Sequence, residues 1–315
     1  MKRVHGTAEY LTLAMIWIGL IILFGLLSEN FFSFGTWTIL ASQVPALTVV
    51  AAGMTLVLII AGIDLSVGSV LGLGGAVLGF AVVDWQWPLW AAVLLCLGAC
   101  SLVGLVNGAL TVRFSIPSFI VTLGMLEVAR GAAYRVTNSQ TKYIGAAVEP
   151  LSQPIPLLGL PVSFLIAVAV VVALQVVLSR SVFGRHLIAI GTNESAVRLA
   201  GINPNPAKVA VFVLAGLLSG LGALFHTARL GASDPNAGVG MELSAIAAVV
   251  IGGTSLMGGR GSVVNSFFGV LIIATLQAGL RQVGASEPDK RMITGAVIIA
   301  AVIVDVWRKR SSGKA

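Results

Sequence analysis

Residues 85–112, WQWPLWAAVLLCLGACSLVGLVNGALTV, run for 28 positions without a Lys, Arg, Asp or Glu. A helix of about 20 mostly apolar residues crosses the hydrocarbon core of a bilayer, so this stretch holds a complete span. The same reading extends along the chain in both directions. Charge-free runs also cover residues 11–28, 30–63, 65–83, 150–179, 209–228, 243–259 and 261–280. Two further stretches read as spans with ionisable residues inside them: 114–133 carries Glu127 and Arg130, and 292–307 carries Asp305. The sequence therefore predicts an all-α polytopic membrane protein of about ten transmembrane helices, forming a single transmembrane domain over residues 1–315.

Composition supports this reading. Of the 315 residues, 57% are hydrophobic and 10% charged, against roughly 25% charged in a soluble domain. Twelve acidic and nineteen basic residues cannot supply the polar surface that a soluble fold of this size needs. Run 30–63 is long for one helix. Aromatic rings are favoured at the membrane interface, so Phe31, Phe32, Phe34 and Trp37 are expected there, with the span beginning near Pro45. Met1, Lys2 and Arg3 precede an apolar stretch, as in a secretory leader. That stretch is long and no Ala-x-Ala site follows, so an uncleaved first helix is expected. Cys96 and Cys100 share a helical face without the further ligands of a zinc site, and read as packing residues.

The net charge of +7 would suggest nucleic acid in a soluble protein; here topology explains it. With both termini inside, the inner segments hold 12 of the basic residues, among them Lys2, Arg3, Arg113, Arg180 and Arg185, and the outer ones hold 7. That is the bias of the positive-inside rule. No nucleic acid partner is expected.

Two connections are long. Residues 134–161 contain Pro150, Pro154 and Pro156 and should form an irregular outer loop. Residues 180–208 form a polar inner loop. Within it Asn193 suits a helix N-cap, and Glu194 and Arg198 stand at i,i+4 in the favourable order. Gly201 suits the position after the last helical residue, and Pro204 stops continuation. The predicted helix of about two turns is too short to persist alone. It either lies on its own membrane domain or docks a cytoplasmic partner.

Residues 62–69 (GIDLSVGS) and 252–259 (GGTSLMGG) are both polar, glycine-rich breaks beside apolar helices. An inverted five-plus-five repeat, common in transporters, would put matching positions on opposite sides of the membrane. Both breaks fall near the inner side, so this pair does not support such a repeat. The glycines from Gly252 to Gly261 read as sites of close helix contact, with a hinge as the alternative.

No catalytic constellation is evident. His5, His186 and His226 lack metal-ligand spacing, and no phosphate-binding Gly-x-x-x-x-Gly-Lys-[Ser/Thr] loop occurs. No metal or other cofactor is expected on this chain. Ionisable residues inside spans are costly and therefore informative. Asp64 reads either as an N-cap or, with Ser66, as a gate. Glu127 and Arg130 can neutralise one another on one helix face, and Asp305 can pair with Arg308.

At these residues the sequence resembles the permease subunits of ribose, xylose and galactoside ATP-binding-cassette importers. The likeness runs through residues 52–57 (AGMTLV), 62–69, 116–125 (IPSFIVTLGM) and 189–194 (AIGTNE) to the longest stretch, 242–262 (ELSAIAAVVIGGTSLMGGRGS), covering nearly the whole chain in order. Asn265-Ser266 stands where a glycine–threonine pair is expected, and Ala278 where an asparagine is. The resemblance implies a membrane-spanning permease, not itself an enzyme, that translocates a monosaccharide by alternating access in the bilayer of a bacterial inner membrane. It implies a cytoplasmic ATP-binding subunit, a periplasmic sugar-binding protein and a second permease chain, as a homodimer. It also makes Asn193, Glu194, Arg198 and Gly201 a coupling helix seated on the ATPase. The rival reading, an ion-coupled secondary sugar carrier, needs an ionisable site near mid-membrane, for which Glu127 is the candidate. A membrane enzyme would need a nucleophile, base or metal site that the sequence does not show.

Overall fold

The computed structural model describes residues 3–156 and 158–311. Among them run eleven α-helices: α1 (Arg3–Leu27), α2 (Phe34–Ile59), α3 (Val67–Val83), α4 (Leu89–Arg113), α5 (Ser118–Thr137), α6 (Val162–Arg180), α7 (Val182–Leu199), α8 (Asn205–Leu230), α9 (Met241–Ile251), α10 (Val263–Gln282) and α11 (Glu287–Ser311). Six of the described helices are long and apolar enough to cross a membrane: α1, from Tyr10, with α2, α4, α6, α8 and α10. Helices α3, α5, α9 and α11 occupy the other four stretches read as spans. The remaining helix, α7, lies in the polar connection.

α2 is the centre of the molecule. In its most apolar 18-residue stretch 83% of the residues are buried, and it packs against α6, α8, α9 and α10. Small residues make that close packing feasible: a Cβ on Gly53 would stand 3.1 Å from the Ala215 backbone of α8. α4 and α8 approach closer still. A Cβ on Gly104 would overlap the Phe212 carbonyl, and one on Gly216 the Cys100 carbonyl. Cys96 and Cys100 are buried free thiols, and a Cβ on Gly74 of α3 would meet the Cys100 sulfur at 2.8 Å. They are packing residues, as their spacing indicated.

The start of α2 departs from expectation. Its first helical residue is Phe34, capped by the Ser33 hydroxyl, which accepts from the Thr36 amide. The helix passes through Pro45 without ending. Phe31 is fully buried rather than interfacial, packed against Phe24 and Trp37. Phe32 and Phe34 are exposed, as interfacial rings should be.

Residues 138–156 and 158–161 are irregular apart from two single helical turns and a two-residue strand, β1 (Lys142–Tyr143). β1 pairs antiparallel with β2 (Ala232–Ser233), and the Lys142 ammonium bonds the Asp84 carboxylate at 2.8 Å. From β2 the chain doubles back along α3. A Cβ on Gly79 would meet Ser233, one on Gly72 the Ala237 carbonyl, and one on Gly68 the Gly238 carbonyl. α9 starts only after this descent. Run 243–259 is thus not one full-length helix; only Met241–Ile251 is helical.

Candidate functional site

α7 is two helices joined at a kink. Asn193 is extended (φ −162°, ψ 95°) in the middle of it, and its Oδ1 accepts from the Ala196 amide at 2.9 Å. The predicted N-cap therefore breaks α7 and starts a new short helix. Gly201 takes φ +80°, a conformation that suits glycine. Its amide donates to the Arg198 carbonyl and the Ile202 amide to Val197, closing the helix as predicted.

The Glu194 carboxylate accepts from Arg198 at 2.7 Å and from Lys208 of α8 at 3.0 Å. Arg198 also donates to Asn205 at 3.0 Å. Partial burial alone would raise the Glu194 pKa, but its bonds to Arg198 and Lys208 outweigh that and hold it below the usual carboxylate range. Val197 is buried, while Leu199 stands 90% exposed. The short helix is anchored on one side and presents an apolar side chain on the other. Lys208 as a third partner was not legible in sequence, because it lies 14 residues away.

The first half of α7 carries the short helix to a meeting of three backbones. A Cβ on Gly191 would overlap the Ile59 carbonyl at the end of α2. The Gly259 amide donates to that same carbonyl at 2.9 Å. Gly258 and Gly259 both have positive φ, and a Cβ on Gly259 would stand 2.6 Å from the Thr192 hydroxyl. The glycine-rich break after α9 is thus in backbone contact with α2 and with the residues just before Asn193.

The other break, between α2 and α3, holds Asp64 and Ser66, both buried. Asp64 Oδ1 accepts from the Ser66 amide at 2.8 Å and from its hydroxyl at 2.6 Å, a turn that leads into α3. The N-cap position itself belongs to Ser66. Asn107 of α4 donates to the Ser66 hydroxyl at 3.0 Å. From α5, Ser118 Oγ accepts from the Ile63 amide at 2.9 Å and Thr122 Oγ1 from the Leu65 amide at 3.1 Å. A helix would satisfy those amides internally; here two hydroxyls hold the break against α5.

Between this break and the short helix opens a cavity of about 290 Å³, lined by Ile60, Gly62, Thr111, Ser115, Arg198 and Lys208 among others. The sequence-predicted residues thus fall on two sides of one cavity: Glu194 and Arg198 line it, while Asp64 and Ser66 lie in the break whose start, Ile60–Gly62, forms its other wall.

Arg130 lies 3.9 Å from Glu127, whose side chain is 75% exposed, so the pair shares a helix face as expected. The proposed Asp305–Arg308 pair lies outside the described side chains. Ser266 bonds Thr55 of α2 at 2.8 Å, placing the Asn265-Ser266 departure where α10 crosses α2. Glu242 was missed as a site: it is buried at the first turn of α9, with Oε2 lacking a hydrogen-bond partner among the described residues. It ends a charge-free run in the sequence and so reads as a boundary. Among the described residues no group of three or more His, Cys, Asp and Glu could hold a metal ion.

Comparison with known proteins gives the context. Residues 37–302 match the family described as branched-chain amino acid transport system / permease component. The ribose import permease RbsC of Escherichia coli K12 is 38% identical over 91% of this chain and 90% of its own length. The fructose import permease FrcC of Rhizobium meliloti is 33% identical over 97% and 87%. The autoinducer 2 import permease LsrC of Photorhabdus luminescens is 31% identical over 97% and 92%. No solved structure matches the chain. A match of this extent, on a fold of long apolar helices, shows that the chain belongs to the permease-component family of the branched-chain amino acid transport system type, as a multi-pass membrane protein.

Proposed function

We propose that this chain is the membrane-spanning permease subunit of an ATP-driven importer in a bacterial inner membrane. It translocates a monosaccharide delivered by a periplasmic binding protein, and pairs with a second copy of itself. ATP is hydrolysed on a separate cytoplasmic subunit that docks on the short helix from Asn193 to Gly201. In this reading the chain crosses the bilayer ten times, through every helix but α7, the crossing that contains α9 being completed by the extended segment before it, with both termini inside. The relatives named for ribose and fructose import support a sugar as cargo.

The observation that carries the mechanism is the backbone junction of Gly191, Ile59 and Gly259 directly before the docking helix. A displacement of that helix acts on the end of α2 and on the break between α9 and α10 with no flexible side chain between. Two glycine-rich breaks are thereby coupled to one docking element, as alternating access requires. Asp64 and Ser66 then form part of the gate, latched to α5 through Ser118 and Thr122. An ion-coupled carrier gains no support, since Glu127 is largely exposed and already has Arg130 beside it.

The test is affinity purification of the tagged chain from native membranes. Recovery of an ATPase subunit in near-equal amount, lost on Leu199→Asp in a chain that still folds, supports the reading. A chain that purifies alone, and whose sugar uptake stops when the ion gradient is collapsed, overturns it.

A further inference from the structure

The descent of the chain after α8 places one carboxylate deep in the protein. Ser233 lies beside Gly79 and Gly238 beside Gly68, so the segment drops about 16 Å along α3 at 1.5 Å per residue. That carries it from near the end of α3 to Gly68, the second residue of that helix. α9, with 11 residues, begins only beyond that point. Glu242 sits at the start of α9, 9% exposed, with Oε2 unpartnered. Ser69, in the first turn of α3, is likewise buried with an unpartnered hydroxyl.

We propose that Glu242 is the residue that accepts hydrogen bonds from the hydroxyl groups of the transported solute inside the helical domain, and that the Gly68–Gly238 contact is the seal that parts to admit it. This rests on the importer reading above. A buried carboxylate oxygen with no partner is costly unless a ligand satisfies it. No described Lys or Arg forms an ion pair with it, and no described cluster offers the extra ligands of a metal ion. A molecule with several hydroxyl donors can satisfy that oxygen, and a sugar carries several such donors.

The surroundings fit a seal. A Cβ on Gly68 would overlap both Glu242 Oε2 and the Gly238 carbonyl, and one on Gly238 would overlap the Gly68 carbonyl. Two glycine backbones meet there, so at this contact no side chain of either residue has to move for them to part. Gly238 and Gly240 both adopt φ +80°, giving the descending segment pivots on either side of Val239. Below the seal, Ser66, Asn107 and Thr111 continue a line of buried polar groups to the cavity beside the docking helix. Asn107 Oδ1 and Thr111 Oγ1 are also unpartnered.

The experiment uses the complete complex in liposomes, loaded with whichever sugar of a pentose and hexose panel the wild type takes up. Glu242→Gln, which keeps the shape, is expected to lower the uptake rate at least tenfold while the complex still assembles. As a second readout, Ser69→Cys is placed in a Cys96→Ala/Cys100→Ala background and treated with a hydrophilic methanethiosulfonate. Labelling is expected only during ATP turnover, and saturating sugar should slow it severalfold. Wild-type uptake by Glu242→Gln, or labelling of residue 69 that sugar does not slow, overturns the assignment and leaves the importer intact. A wild-type complex that takes up no sugar in the panel removes both.

Discussion

Asn193 turns α7 through a kink and starts the short helix with one side-chain bond to the Ala196 amide. Losing such a cap costs about 1 kcal/mol. Asn193→Ala should therefore speed amide exchange across residues 194–199 by roughly fivefold, read by hydrogen-exchange mass spectrometry; unchanged exchange would mean packing alone holds the helix. Glu194 bears on the same helix through charge. Its folded-state pKa lies below the usual range, so the stability that it contributes is present above its unfolded pKa of about 4.3. It is lost as the pH falls through the lower, folded value. Protection of this helix, corrected for intrinsic exchange, should thus be flat from about pH 8 to 5.5 and fall below about pH 4. Loss of protection between pH 7 and 6 would point to another group.

At the scale of elements, what matters is which backbones touch. Gly191→Ala forces apart α7 and the Ile59 carbonyl. The expected result is a complex that still binds its ATPase but hydrolyses ATP with little sugar uptake; normal uptake per ATP would show that the junction transmits nothing. The latch between the α2–α3 break and α5 makes a separate prediction. Ser118→Ala with Thr122→Ala leaves the half-buried Ile63 and Leu65 amides without their hydroxyl partners, at about 1 kcal/mol for each. A cysteine at position 62 should then react faster with a hydrophilic thiol reagent added from the cytoplasmic side. The short helix from Asn193 was legible in the sequence because Asn193, the Glu194–Arg198 spacing and Gly201 are local signals. The latch was not, since its partners are 55 and 57 residues apart.

For the molecule as a whole, packing follows from helices that touch at small residues. α4 and α8 lie so close at Gly104 and Gly216 that any side chain there would strike backbone. Gly104→Val should thus lower the melting temperature of the purified protein by several degrees, since overpacking costs about 1–3 kcal/mol. An unchanged melting temperature would mean that these helices separate easily. The exposed apolar faces of α1, α4 and α6 suit lipid or a second chain, while α2 is enclosed within the protomer.

The sequence by itself determined that the chain is a membrane protein of long helices, where its polar connection lies and which short helix caps it. Charge-free runs and caps act over about 20 residues or fewer, so composition and spacing suffice to read them. Only the tertiary structure decided that Phe31 is buried, that residues 243–259 contain a half-helix, and that Gly191, Ile59 and Gly259 meet. It also decided that Glu242 is buried rather than at a boundary. In an apolar sequence nearly every residue is compatible with burial, so hydrophobicity cannot rank the faces of a helix. Close approach of backbones at glycines does so instead, and it depends on residues far apart in the chain.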